Sequence, residues 1–392
     1  MSAVLSQRIL GRDPSTGRGI AVTTEGELIK AIEFQDHSEK QWLSAGFIDL
    51  QVNGYAGHDL NGLTLDVATV QALCQAMIKV GVTTFLPTLV TAPEARLVAA
   101  LRTIREACAQ HPDVAAMVAG VHVEGPHIAP EDGPRGAHPA ADVRPPSTAE
   151  FDRWQEAAGG LVKLVTLSPH WSQAPAYIRH LVKAGVTVSL GHTSADAAQI
   201  AAAVDAGATL STHLGNGSHA LLNRRHNHLW PQLADDRLTA MFIADGHHLT
   251  PAQLKTMLRA KGLERSLVVS DTVALGGLPA GKYQTPIGGK VELKADGFLA
   301  IDDGTGNYLA GAALPMIASI PVLVNQVGLT LGEAVALMTS APGRIAGGRV
   351  VLQVGQPADL VTFHWDGSAA RPEVASVWLR ALARITADKN DA

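Results

Sequence analysis

The chain has 392 residues, 46% of them apolar and 17% charged, with 31 basic side chains against 36 acidic ones. That composition can bury a large core and excludes a disordered chain, and a net charge of −5 excludes a nucleic-acid binder that relies on a basic face. Two cysteines, Cys74 and Cys108, exclude a disulfide framework and a cysteine zinc site, so any metal site must come from the 16 histidines and the carboxylates.

Residues 1–43 read as short alternating stretches separated by turns such as Asp13-Pro14 and Thr24-Glu25-Gly26. The first twelve residues lack the apolar core of a signal peptide. Eight nearly continuous apolar runs then follow, each ending in polar or glycine residues. They begin near Gly46 (GFIDLQVNG), Val82 (VTTFLPTLV), Met117 (MVAGVHVEG), Leu161 (LVKLVTLSP), Val186 (VTVSLGHT), Ala208 (ATLSTHLGN), Thr239 (TAMFIADGHH) and Ser266 (SLVVSD). Such runs suit parallel strands buried on both faces. Helix-period stretches lie between them, over 66–79, 93–109, 175–184, 194–206 and 251–260, with Ser194 and Thr250 placed as N-caps and Pro251 in the first turn. Eight such units predict a (β/α)8 TIM-type barrel over 44–348. An open doubly wound sheet is the competitor, but it does not need eight similar units. The run from Gly311 to Gly332 is uncharged but holds Pro315, Pro321, Asn325 and Gln326, so it reads as buried protein rather than a membrane span. The tail, 349–392, returns to short strands (VVLQVG, LVTFHW, VASVWLRA), and with residues 1–43 it is expected to build one small β-sandwich beside the barrel. A cytoplasmic protein without membrane contacts is the expectation.

In a barrel of this kind the C-terminal strand ends and the loops after them hold the active site. Strand one ends in Gln51 and Asn53, strand three in His122-Val123-Glu124, strand five in His192, strand six in His213, strand seven in Asp245-Gly246-His247-His248 and strand eight in Asp271. Taken singly, each has an ordinary reading: a loop histidine satisfied by a hydrogen bond, or an aspartate capping the next segment. His122 alternates with Glu124 and could be a ligand or a support; support is the favoured reading. Taken together, ligand-type groups from several strands at one rim are hard to explain as packing. Glu124, His192 and His213 make a three-ligand divalent site with a position left for water. Such an ion acidifies its water and polarises a carbonyl, and Asp271 is placed to accept the water's proton and return it to a leaving nitrogen.

The set GFIDLQVNG, PTLVT, HVEGPHI, RGAH, VSLGHT, STHLGNG, IADGHH, VVSD, LAGAALPM, APGRIAG and PADLVTF resembles the N-acetylglucosamine-6-phosphate deacetylase family of the amidohydrolase superfamily, in the family's own order. The resemblance implies a deacetylase that turns N-acetylglucosamine 6-phosphate into glucosamine 6-phosphate and acetate. It gives Glu124, His192 and His213 as ligands of one divalent metal per subunit, zinc first, with iron or another divalent ion as alternatives, and Asp271 as the proton shuttle. Gln51-Val52-Asn53 stands where many relatives carry His-x-His for a second metal, which resembles the one-metal branch. The same resemblance implies substrate contacts at Gln51, Ala137, His138, Asn216, Gly217, Arg224, His248, Leu309, Ala310 and Gly311, and a homodimer in which the phosphate arginine can come from the partner subunit.

There is a clear departure from the family's pattern. The usual HLxNAM segment is replaced by HLGNGSHALLNRRHNHLW, with Arg224-Arg225-His226 where an arginine with an acidic neighbour is usual. This altered loop keeps a second reading open, a related amidohydrolase acting on another N-acetylated amino sugar, an N-acyl amino acid or a cyclic amide. A non-catalytic scaffold on a retired barrel is the third, and the presence of Glu124, His192, His213 and Asp271 together speaks against it.

Overall fold

Eight parallel strands form the central sheet of the computed structural model, which describes residues 6–302, 309–348, 352–368 and 370–386. In barrel order they are Phe47–Val52, Val82–Val90, Val121–Glu124, Val162–Leu167, Thr187–Leu190, Leu210–Ser211, Thr239–Ile243 and Ser266–Val269. These are the eight runs expected from the sequence. The first and last meet: Val52 bridges Thr272 in parallel, and the Asn53 N–H donates to the Thr272 carbonyl at 2.8 Å. The sheet is therefore closed, and the barrel expectation holds.

Alternation along each strand separates two cores. Ile48, Leu50, Leu86, Leu164, Leu210, Met241, Ile243, Leu267 and Val269 pack with one another in the barrel interior. Their neighbours Phe47, Phe85, Val123, Val165, Val188, Phe242 and Val268 pack outward against the helices. Every residue of the first two strands is buried, as a sheet covered on both faces requires.

Local signals set the helix starts. Asp66 caps Val67–Ile78 through the Thr69 N–H, and Thr250 caps Pro251–Lys261 in a reciprocal box with Gln253. The helix after strand five begins later than the sequence suggested, at Ala197–Asp205, and its cap is Asp196 rather than Ser194. Asp196 has Gln199 three residues ahead to return the hydrogen bond, whereas Ser194 has only Ala197 there and turns to Glu131 instead.

Strands from both chain ends form one seven-stranded sheet. Trp42–Ala45 sits at its centre, parallel to Ser6–Arg12 on one side and antiparallel to Leu360–His364 on the other. The sheet curls over its own core of Ile9, Ile20, Val22, Ile29, Leu360 and Trp378. Its other face presents Val361, Phe363, Val377 and Leu379 to the barrel, where Phe363 meets Phe47 at a ring separation of 6.2 Å. Both chain ends thus contribute strands to one sheet, where a small sandwich was expected; residues 1–5, 349–351, 369 and 387–392 of that expectation lie outside the described residues. One element was not foreseen. Between strand eight and the final helices, Gly281–Thr285, Gly289–Leu293 and Leu299–Ile301 form a three-stranded antiparallel sheet with its own core around Leu275 and Ala310. Among the described residues no helix is long and apolar enough to cross a membrane.

Candidate active site

Four groups converge at the C-terminal mouth of the barrel. Glu124 is the last residue of strand three. His192, His213 and Asp271 each lie two residues beyond the end of strands five, six and eight. All three have left-handed backbones, with φ of 48°, 26° and 53°. A non-glycine residue in that region costs roughly 1–3 kcal/mol, and such strain is kept where the surrounding fold requires it. Here it breaks each chain out of its strand directly before the next loop, at the rim.

The Nε2 atoms of His213 and His192 lie 3.0 and 3.3 Å from Glu124 Oε1, and 3.1 Å from each other. His192 Nδ1 is 2.7 Å from the Pro134 carbonyl, which only accepts, so Nδ1 carries a proton, and in the neutral, ligand form of the ring the Nε2 lone pair faces the carboxylate. A lone pair beside a carboxylate oxygen is repulsive by itself and becomes favourable around a cation. Glu124, His192 and His213 have ligand atoms within 4.8 Å of one another, are all buried, and fit a divalent ion. Burial opposes ionisation of Glu124; with no cation present, hydrogen bonds and charge from the two imidazoles in their protonated form hold its carboxyl well below the ordinary range.

The neighbours of these groups are amides and hydroxyls. Gln51 Nε2 donates to Glu124 Oε1 at 2.8 Å, and Asn53 Nδ2 donates to Asp271 Oδ1 at 2.7 Å. The amide oxygens of both, Gln51 Oε1 and Asn53 Oδ1, are buried with no hydrogen-bond partner among the described residues. The Asp271 N–H donates to the Gln51 carbonyl at 3.0 Å, joining the first and last strands at the site. Burial, reinforced by the Glu124 charge, pushes the Asp271 carboxyl up to about 6.

The other expected contacts fall around this centre. His138 is buried with Nε2 3.9 Å from Glu124 Oε2 and its ring against His192, so it touches the triad itself; Ala137 precedes it, half-buried. Gly217 lies under the His192 ring: a Cβ there would stand 2.7 Å from Nδ1. Asn216 folds back, its backbone and side-chain nitrogens both donating to the His213 carbonyl. His248 Nδ1 is 2.7 Å from Asp245 Oδ2, whose other oxygen accepts the N–H groups of His247 and His248. Leu309, Ala310 and Gly311 run beside the end of strand eight, where a Gly311 Cβ would meet Val273 at 2.8 Å. Arg224 stands apart. It is exposed on the loop after strand six, and its carbonyl accepts from Trp230 Nε1 at 3.0 Å. His122 lies below the triad and faces Leu50 and Thr166.

Sequence reasoning missed two supports. Thr91 Oγ1 is 2.8 Å from His138 Nδ1 and belongs to the PTLVT motif, which gave no residue-level role. Asp49 accepts from the Ser270 N–H at 3.1 Å and from the Ser270 hydroxyl, next to Asp271. Its only signal was a carboxylate inside an apolar strand.

Fold and donor set together define a class, the barrel hydrolases that hold a divalent ion at the strand ends. Comparison with known proteins narrows it. The sequence profile of the amidohydrolase family matches residues 42–382. The N-acetylglucosamine-6-phosphate deacetylase of Bos taurus is 36% identical, over 81% of this chain and 78% of its own. The N-acetylgalactosamine-6-phosphate deacetylase of Escherichia coli O157:H7 is 33% identical over 79% of each chain. Among solved structures, the N-acetyl-D-glucosamine-6-phosphate deacetylase of Mycobacterium smegmatis, an aspartate-to-alanine mutant in complex with N-acetyl-D-glucosamine-6-phosphate, superposes with a TM-score of 0.85 at 26% identity, covering 97% of this chain and 100% of its own. The chain belongs to the amidohydrolase family, and within it to the N-acetylhexosamine-6-phosphate deacetylases.

Proposed function

We propose that this hydrolase cleaves the acetamide of N-acetylglucosamine 6-phosphate to give glucosamine 6-phosphate and acetate. The observation that carries the chemistry is the meeting of Glu124, His192 and His213 beside a buried Asp271. One carboxylate and two imidazoles are donors that zinc favours, and iron or another divalent ion also takes such a set. An ion held there supplies Lewis acidity, which polarises the amide carbonyl and makes a water acidic near neutrality.

The protein's own groups do the rest. Asp271 Oδ1 is occupied by Asn53, which leaves Oδ2 to take the proton of the attacking water. The same oxygen returns it to nitrogen as the C–N bond breaks, so the sugar leaves as a neutral amine. With the Thr91 hydroxyl donating to His138 Nδ1, the His138 Nε2–H faces the triad and can donate to the acetyl oxygen. Gln51 holds Glu124 in place, and its buried amide oxygen has no hydrogen-bond partner among the described residues. Ala137, Asn216, Gly217, Leu309, Ala310 and Gly311 line the sugar in this reading.

The phosphate falls to His248 and Arg224. Asp245 orients His248, and the Arg224 guanidinium has no partner among the described residues. Its exposure suits a homodimer in which it reaches the partner subunit's site. A doubly charged sugar phosphate stays inside the cell that makes it, so a cytoplasmic enzyme goes with this substrate. The proposed units are 44–348 for the barrel and 1–43 with 349–392 for the small sandwich. One specific observation favours a second reading, N-acetylgalactosamine 6-phosphate: relatives acting on that sugar match as well as those acting on the gluco epimer.

Acetate release from the gluco and galacto sugars, each with and without the 6-phosphate, tests the assignment. The expected result is a strong preference for phosphorylated N-acetylglucosamine. Preference for the galacto sugar selects the second reading, and hydrolysis indifferent to phosphate overturns both.

A further inference from the structure

Beneath the triad, the barrel interior carries a polar layer that the chemistry above leaves unused. His122 Nδ1 lies 3.1 Å from the Leu50 carbonyl oxygen, and its Nε2 lies 2.8 Å from Thr166 Oγ1. Thr166 Oγ1 is 2.7 Å from Thr212 Oγ1, which is 2.5 Å from Ser189 Oγ. All four side chains are buried.

Counting protons leaves one arrangement for a neutral imidazole. A carbonyl only accepts, so His122 Nδ1 must carry the hydrogen. Nε2 is then an acceptor, and the Thr166 hydroxyl must donate to it. Each hydroxyl has a single hydrogen, so Thr212 must donate to Thr166, and Ser189 to Thr212. The chain runs in one direction, from Ser189 to the Leu50 carbonyl, with every link assigned. Such chains polarise one another in a low dielectric and fix the rotamers of their members.

Its position ties it to the site. Leu50 directly precedes Gln51, His122 stands two residues before Glu124, Ser189 three before His192, and Thr212 directly before His213. Gly191 gives an independent sign of the close fit. A Cβ there would lie 2.7 Å from Thr212 Cβ and 2.9 Å from Thr166 Cγ2, so strand five passes directly over the chain on its way to His192.

We propose that His122, Thr166, Thr212 and Ser189 are positioning residues: their one-directional hydrogen-bond chain sets strands one, three, four, five and six in the register that brings Glu124, His192 and His213 to a common point. This rests on the metal-binding reading of that triad. The chain replaces separate packing contacts with one shared device, so loss of any link should loosen the ligands together.

The test has two parts. In the metal-free wild-type protein, the ¹⁵N shifts of His122 should show protonated Nδ1 and bare Nε2; the opposite tautomer overturns the chain. Thr166→Val and Thr212→Val remove a hydroxyl and keep the shape, and their zinc affinity, measured by chelator competition, should fall roughly 10- to 100-fold, the usual range for groups that orient ligands. Thr212→Ser and Thr166→Ser keep the hydroxyl and should bind zinc close to wild type. Valine variants with wild-type affinity overturn the proposal, as does a serine variant as weak as its valine counterpart, which would make packing the cause. A wild-type protein that takes up no divalent ion sinks the metal reading itself, and it is told apart by needing no variant. If a valine variant does not fold, the tautomer measurement still decides.

Discussion

At Asp271 burial and the Glu124 charge raise the carboxyl to about 6, against the Asn53 hydrogen bond and the nearby His213 and His248. The sign follows directly. The ionised form is the base that accepts the water's proton, so kcat/KM should rise with pH and level off above this value. A cation in the triad adds favourable charge for the ionised form and moves the limb lower. Asp271→Asn should keep the metal, lose roughly 10²–10⁴-fold in turnover and lose the acid limb as well. A pH profile unchanged in that variant removes Asp271 from the mechanism. Gly217 offers a second test at this scale. Its φ is 56°, and an added Cβ would press on the His192 ring that Pro134 already holds. Gly217→Ala should leave the far-ultraviolet dichroism intact and weaken metal binding by roughly 10-fold, as for other groups that orient ligands. Full metal content after dialysis against a limiting chelator would contradict it.

At the scale of elements, the loop after strand six departs from the pattern that the family resemblance implies. Its backbone is organised locally: Asn223 Oδ1 accepts the N–H groups of Arg225 and His226, and Trp230 holds the Arg224 carbonyl. Both arginine side chains remain exposed. A guanidinium that binds phosphate forms charge-assisted, bidentate hydrogen bonds. Arg224→Ala should therefore lower kcat/KM for the 6-phosphorylated sugar by about one to two decades, from a lost bond of about 1.5–3 kcal/mol, and barely change the unphosphorylated one. Equal loss on both substrates, or on neither, would return the loop to a solvated segment and the phosphate to other groups.

For the whole molecule, the small sheet and the barrel share one apolar cluster. Val361, Phe363, Val377 and Leu379 pack with Phe47 and the outer barrel residues, while the alternate residues Leu360 and Trp378 face the sheet's own core. The two parts should unfold together. Phe363→Ala, which empties space against Phe47, should cost roughly 3–5 kcal/mol and lower a single calorimetric transition. Two resolved transitions, only one of them moved by the variant, would show that the sheet is independent.

Periodicity, strand-end chemistry and turn residues were enough to read eight βα units, the origin of the small sheet in both termini, and the set Glu124, His192, His213 and Asp271. These are local properties: strands buried on both faces must be apolar throughout, and groups with ligand chemistry must lie where those strands end. Other features depend on contacts between residues far apart in sequence. Asn53 on Asp271, Thr91 on His138, Gly217 beneath His192 and the hydroxyl chain under the triad all join different strands, so no spacing within one segment reports them. The insertion over 281–301 was missed for a related reason, since its short strands are stabilised by pairing with one another and not by a period of their own. What the sequence determined by itself was which chemistry stands at the end of each strand. Closing the barrel decided which of those groups touch, because only closure brings the first strand beside the last and strands three, five and six to one point.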